Sequence, residues 1–596
     1  MSCIHLHLGQ AGNQIGKSFW GIAEEEYLVR DDDRSGSNGY GGGGGDGGSS
    51  GERGYSGSAR PGMPARPRLR PGGSSMFHEE EGGWARCLAV DSEPKARRIQ
   101  SCHVVQSFQE QVRTLRPQNA IFSQSGMANN WAMGFAACRG EGSGNGGRGD
   151  AEDAGLLERT MEAMRKEAER CSWLNSIVMQ HSLAGGTGSG LGSGLLQALR
   201  DEYPSLYIIS VCVGACRRGE TPLQAYNSTL ALQHLQAFAD AVIFRDNDDM
   251  LLGAARWRAG EGTRTEQQRL PPRTAGQNAP RRSREHSGRS SWKSGSPAGS
   301  NVRAEGLVST ADMNASFSLD LATYFFPRML PLTPASGDPS LSPGTHRALP
   351  RPVGVEHGGG QRAWRTAARS FDGGFLMASA CPIPSAKFVD LRSALSVDIP
   401  PTSSSTAGWA GLSGALAKAA PLCPQRAGGS PGDVCIAAHH VLRGLDRVCK
   451  RDSTRLTERS FAQDDRKGSK LAAGRVVEDF GTAAIISATA EAGNMLRKHH
   501  MCPDWRTATD VSFSQAFRSR PVCRSVTTVC NQTRIREVLR NTVSQAERKF
   551  AAGAYLHWYY RYGLEEEDFM AAFEAVRGTA EGYDALARVL SAPPKA

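Results

Sequence analysis

The chain has 596 residues, 39% of them hydrophobic and 22% charged, with a formal net charge of +10. That length implies roughly two to four domains; no run of about 18 apolar residues marks a spanning helix, and the start MSCIHLHLGQAG lacks the basic n-region and apolar block of a signal peptide. With no export signal the 14 cysteines are expected as thiols, and no paired CxxC spacing points to zinc; Cys212 and Cys216 in CVGAC read as a strand and its exit.

From the N-terminus, CIHLHLG reads as a strand and NQIGKSFWGIAEEEY as a helix, with Ile15, Phe19, Ile22 and Ala23 at helical spacing. RCLAVD is a strand, AGLLERTMEAMRKEAERC an amphipathic helix and SIVMQHSL a strand. LGSGLLQALRDEY, LYIISVCV, PLQAYNSTLALQHLQAFA and DAVIFRDN continue as helix, strand, helix and strand. Near-continuous apolar strands alternating with helices predict an α/β fold, a parallel sheet covered on both faces. After residue 366 the pattern is mixed, with strand candidates KFVDLRSA, DVCIAAHHVL and CRSVTTVC, and the end is helical.

The organisation predicts an N-terminal domain over 1–255, a core helix within 306–330, a mixed α+β domain over 366–530 and a helical region over 531–596. Between and within them, Gly/Pro/Ser-rich or polar stretches predict inserts at 31–75, 256–305, 331–365, about 400–432 and about 450–475. The insert at 256–305 carries 11 Lys/Arg against 4 Asp/Glu. Its composition favours a solvated loop, and a nucleic-acid or acidic partner is the lesser reading.

The stretch SLAGGTGSGLGSGLL (182–196) joins a buried strand to an amphipathic helix. That is the carboxyl end of a parallel strand, where such sheets bind ligands. Glycines let backbone N–H groups approach an anion, the following helix start adds partial positive charge, and Thr187 and Ser189 can donate further. A phosphate group is the ligand this chemistry suits. No GxxxxGK[ST] lysine follows, and the dinucleotide fingerprint spacing is missing, so neither of those motifs applies. LGQAGNQIG (8–16) occupies the same position after the first strand, with Gly9 and Gly12 for the turn and Gln10, Asn13 and Gln14 as carboxamides. QSGMANNWAMG (124–134) is a third such loop, with Asn129 and Asn130. Three loops of this kind in one parallel sheet converge on one edge.

GGTGSG together with GQAGNQIG, SGMANNW and YNSTLAL, in this order, resembles the tubulin superfamily. Within it, GETPLQAYNSTLALQHL (219–235), IAAHHVLRG (436–444) and AYLHWYYRYGLEEEDFMAAF (554–573) are most similar to delta-tubulins. The resemblance implies a GTP-binding domain, a mixed intermediate domain and a C-terminal helical pair. It implies nucleotide contacts from Gln10, Ala11 and Gln14, with Gln10 and Ala11 at the phosphates. Ser182 with Gly185, Gly186, Thr187 and Gly188 would form the phosphate loop, and Asn129 would approach the terminal phosphates. Asp91 and Glu93 would hold Mg2+ through water, Glu220 would accept from the ribose hydroxyls, and Asn247 and Asn314 would read guanine. The implied cofactors are GTP (or GDP) and Mg2+. The implied partners are other tubulins, alpha/beta or centriolar, with no membrane contact and a cytoplasmic, cytoskeletal location at centrioles or basal bodies. A polymerising microtubule GTPase of conventional type is the alternative reading; a basic scaffold binding nucleic acid or acidic partners is the second.

Departures from the family pattern qualify these expectations. Ala11 replaces the usual cysteine, Ala184 the first glycine of the phosphate loop, and Ala128 a glycine of the third loop, which narrows the space for a third phosphate. Thr310 stands where an aromatic ring stacks on guanine. The acid that activates hydrolysis on a neighbouring subunit aligns, counting back from CPIPSAKF (381–388), with Phe375, and Asp372 is the nearest acid. Weak or absent GTP hydrolysis is the expectation.

Overall fold

The computed structural model describes residues 2–29, 68–70, 73–78, 83–92, 112–123, 126–139, 155–215, 221–256, 308–326, 371–397, 408–419, 432–444, 482–505, 511–514 and 522–591. The first strand, β1 (Ser2–Leu8), enters α1 (Gly9–Tyr27) with no intervening loop. Two short ribbons follow, β2 (Leu28–Val29) with β3 (Arg68–Leu69) and β4 (Phe77–His78) with β5 (Trp84–Ala85). Then come β6 (Cys87–Asp91), β7 (Ala120–Phe122), α2 (Trp131–Arg139), α3 (Leu156–Glu169), β8 (Leu174–Ser182), a π-helical turn (Thr187–Leu191), α4 (Gly192–Glu202), β9 (Tyr207–Gly214), α5 (Gln224–Phe238) and β10 (Ala241–Asp246). The later elements are α6 (Thr310–Phe325), α7 (Gly373–Ala380), β11 (Phe388–Val397), α8 (Trp409–Ala419), β12 (Cys435–Arg443), α9 (Thr482–Lys498), β13 (Val511–Ser514), β14 (Val522–Gln532), α10 (Ile535–Ala551), α11 (His557–Tyr560) and α12 (Glu566–Ser591).

Ten strands form one sheet in the order β13-β12-β14-β11-β10-β9-β8-β1-β6-β7. Every pair from β7 to β11 is parallel. β14 runs antiparallel to both β11 and β12, and β13 pairs in parallel with β12. The mixed half is thus hydrogen-bonded to the parallel half through β10 and β11, where Val242 faces Phe388. Alternation along the strands feeds two cores. Ile4, Leu6, Ile177, Met179 and Val242 pack with α3, α4, α5, α10 and α12 on one face. Cys3, Val178, Ile209 and Ile243 pack with α1, α6 and α7 on the other. Both faces are covered, as buried parallel strands require.

Several expectations need correction. The glycine stretch is not an open loop, because Thr187–Leu191 already winds as a π-helical turn into α4. Likewise 9–16 belongs to α1. Inside the insert expected at 31–75, Arg68–Leu69 pairs with β2 and Gly73–Ser75 makes a 3-10 turn. Inside that expected at about 400–432, α8 buries Trp409, Leu412 and Leu416; its apolar spacing was obscured by the Gly/Ser-rich flanks. The expected inserts at 331–365 and about 450–475 lie outside the described residues, as does 257–305 of the basic one. Among the described residues no helix is long and apolar enough to cross a membrane.

Candidate functional site

The parallel strands run β7-β6-β1-β8-β9-β10, so the strand order reverses between β1 and β8. A crevice opens outside the carboxyl ends of the strands at such a switch point. α1 leaves from β1 at this place and the glycine turn leaves from β8. Gly9 takes φ +66, a left-handed conformation that turns β1 straight into α1. The N-cap, Leu8, is extended and supplies no side-chain cap, and no acid stands in the first turn. The backbone N–H groups of Gln10 and Ala11 therefore have no partner from the cap or from their own helix. Gln10 is exposed and Ala11 half-buried, both on this first turn. Gly186, the N-cap of the π turn, likewise lacks a side-chain cap.

The two helix starts touch. A Cβ on Gly9 would lie 3.2 Å from the Gly188 nitrogen. A Cβ on Gly188 would lie 2.7 Å from the Ser182 oxygen, so only glycine folds the turn back over the end of β8. His181 fixes it from beneath: its Nδ1 lies 2.8 Å from the Gly188 carbonyl oxygen and its Nε2 2.8 Å from the Ser210 hydroxyl. Burial drives the His181 pKa down to about 4, so the ring is neutral and donates to that carbonyl from Nδ1. The Ser182 hydroxyl accepts from Ala184 N at 3.2 Å.

On the other side of β1, Asp91 ends β6 with its carboxylate accepting from Ser92 N at 2.8 Å. The Ser92 hydroxyl bonds the Thr187 hydroxyl, which joins the end of β6 to the glycine turn. Asn13 donates to the carbonyls of Gly9 and Val90, at 2.9 Å each, and ties α1 to the same strand. The third loop closes the rim. Ala128 and Asn129 take φ +44 and +52, and Asn129 Oδ1 lies 3.7 Å from where a Cβ on Gly185 would stand. Asn227 of α5 holds this loop by donating to the carbonyls of Asn129 at 2.7 Å and Ala184 at 2.8 Å.

Asn314 donates to Gln14 Oε1 at 2.9 Å, so two carboxamides 300 positions apart meet one turn inside α1. Thr310 is exposed at the start of α6, after a capping box from Ser309 and Asp312. Asn247 follows β10 on the same sheet edge, half-buried at the start of a helical segment over 247–256 whose N–H of Asp249 is accepted by Asp246 at 2.7 Å. The structure therefore gathers Gln10, Ala11, Gln14, Asn129, Ser182, Gly185 to Gly188, Asp91 and Asn314 around one switch point, with Asn247 two strands along. Glu93 and Glu220 lie outside the described residues. Residue-by-residue reading missed His181, Ser92 and Asn227 as supports. Asn227 was visible within YNSTLAL, as an amide in an otherwise apolar run.

The helix expected to carry an activating acid is α7. Asp372 caps it, accepting from Gly374 N at 2.9 Å, and Asn175 accepts from Gly373 N at 2.8 Å. The ring of Phe375 stands edge-on to that of His439, with centroids 4.9 Å apart.

Uncapped helix starts that meet at the switch point of a doubly covered parallel sheet suit an anionic ligand such as a phosphate group. Residues 2–253 match the Tubulin/FtsZ family, GTPase domain, and the α/β fold is of the tubulin type. The chain is 30% identical over 249 residues to "Tubulin beta-6 chain" of Gossypium hirsutum, covering 41% of this chain and 45% of that one. It is 31% identical over 249 residues to "Tubulin beta chain, nucleomorph" of Guillardia theta, covering 41% and 46%. These matches support the tubulin superfamily, through a stretch that spans under half the length of either relative.

Proposed function

We propose that the chain binds a guanine nucleotide, GTP or GDP, with Mg2+ at this rim, and that it serves as a delta-tubulin-like cytoskeletal protein of centrioles or basal bodies, partnered by other tubulins. The observation that carries the reading is the contact of two uncapped helix starts, at Gly9 and Gly188, beside the Asn129 loop. The rim residues named above include no lysine or arginine, so the positive potential for phosphates comes from backbone dipoles. Gln10, Ala11 and the turn Gly185–Gly188 would donate to phosphate oxygens, with Ser182 beside them and Asn129 at the terminal phosphate. Gln14, Asn247 and Asn314 would meet the base, and Glu220 the ribose. Asp91 and Glu93 would hold Mg2+ through water; the ion would neutralise phosphate charge.

A fluorescent GTP titration with ATP as competitor tests this. GTP should bind and ATP should not displace it. Gly188→Ala, which puts a methyl against Ser182, should weaken binding by about tenfold or more while the chain still unfolds cooperatively. No binding, or equal binding by the variant, would remove the reading.

A further inference from the structure

The C-terminal junction between α10 and α12 is wired into the same rim. Asn227 is fully buried and uses all four of its hydrogen-bonding positions. Its Nδ2 donates to Asn129 and Ala184, as above, while its Oδ1 accepts from Trp131 N at 2.9 Å and from the Tyr559 hydroxyl at 2.7 Å. One amide thus spans the third loop, the start of the glycine turn, the start of α2 and the junction. Asn130 makes a second link: its Oδ1 accepts from Ala132 N at 2.8 Å, and its Nδ2 donates to the Trp558 carbonyl at 2.8 Å. The junction itself is held in an unusual backbone, with φ +60 at Gly553, +63 at Tyr555 and +82 at Gly563. It presents Tyr555, Trp558 and Tyr560 to solvent, each 38–44% exposed.

We propose that Asn227 is a positioning residue that couples nucleotide occupancy of the rim to the conformation of the junction at 552–564 through its bond to Tyr559, while Asn130 on the third loop makes a separate link to Trp558. The inference rests on the nucleotide-binding reading given above. The carbonyls of Asn129 and Ala184 move with their loops when those loops close on phosphate. Asn227 has no spare bonding position, so a shift in either loop is passed to Tyr559. The exposed aromatic surface then differs between the filled and empty states. By linkage, whatever grips the junction changes nucleotide affinity by the same factor that the nucleotide changes that grip.

The test is hydrogen exchange of the full chain, read at 552–564 with and without GTP and magnesium, alongside a direct measure of GTP binding. In the wild type, exchange there should slow about tenfold on binding. The variant Tyr559→Phe keeps the loop bonds of Asn227 and removes its bond to the junction, together with the longer one from the same hydroxyl to the Leu223 carbonyl at 3.4 Å. It should still bind GTP within about fivefold of wild type, the worth of one hydrogen bond, while the nucleotide-dependent change at 552–564 falls to less than half. A purely structural role would instead raise exchange equally with and without nucleotide. Bound GTP with no change at 552–564 in the wild type, or with an undiminished change in the variant, overturns the coupling and leaves the binding site standing. No GTP binding by the wild type overturns both.

Discussion

Ala128 holds a left-handed backbone, φ +44, on an exposed loop. An L side chain there costs about 1–2 kcal/mol, and glycine would return part of that through the freer unfolded chain. Ala128→Gly should therefore raise stability by about 0.5–1 kcal/mol, read as a higher thermal midpoint; an unchanged or lower midpoint would refute the strain. The substitution was legible in the sequence as a departure from the family pattern, but its backbone conformation was not. At the same scale, Gln14 and Asn314 were both singled out as amides, and the structure adds that they bond each other. Asn227 escaped because its four partners come from three other segments, and no local pattern records them.

Among the elements, the strands carry buried imidazoles: His5 and His7 on β1, His181 on β8 and His440 on β12. Burial pushes His5 and His440 down to about 3, His181 to about 4, and His7 well below the ordinary range. The unfolded chain takes up these protons near pH 6.5, whereas the folded chain protonates His5, His440 and His181 only near 3–4 and His7 well below 6.5. Between those values the unfolded state binds more protons, so stability is full above about pH 6.5 and falls as the pH drops. Each histidine contributes a slope of about 1.4 kcal/mol per pH unit in that window. Urea unfolding at pH 7.5 and 5.5 should show a clearly lower midpoint at 5.5; equal midpoints would contradict neutral burial. The strands themselves were readable from apolar runs, and the parallel sheet followed from their alternation with helices. Helix starts were less readable. Gly9 and Thr187 look like loop residues, and tertiary contact with Gln180, Ser182 and Trp131 draws their glycine-rich segments into helix.

At the scale of the molecule, the rim and α7 set different limits. The rim gathers the groups proposed to bind the nucleotide, but α7 offers Phe375 packed on His439 and an Asp372 already spent on its own cap. A phenyl ring neither orients water nor takes its proton. Mixed at equal concentration with alpha/beta-tubulin, the chain should leave GTP turnover unstimulated; stimulation abolished by Asp372→Ala would show that the capping acid acts after all. The links from α1 to α6 through Gln14 and Asn314, and from α5 to α11 through Asn227 and Tyr559, were not visible in any one segment. They arise because the sheet brings its helix starts to a common edge.

The central claim is that this edge holds a guanine nucleotide. Acid extraction of the purified 596-residue chain, followed by chromatography, measures it directly. About one guanine nucleotide per chain is expected, matching a single switch point. Adenine nucleotide in its place, or no nucleotide and no uptake when GTP and magnesium are added, would contradict it.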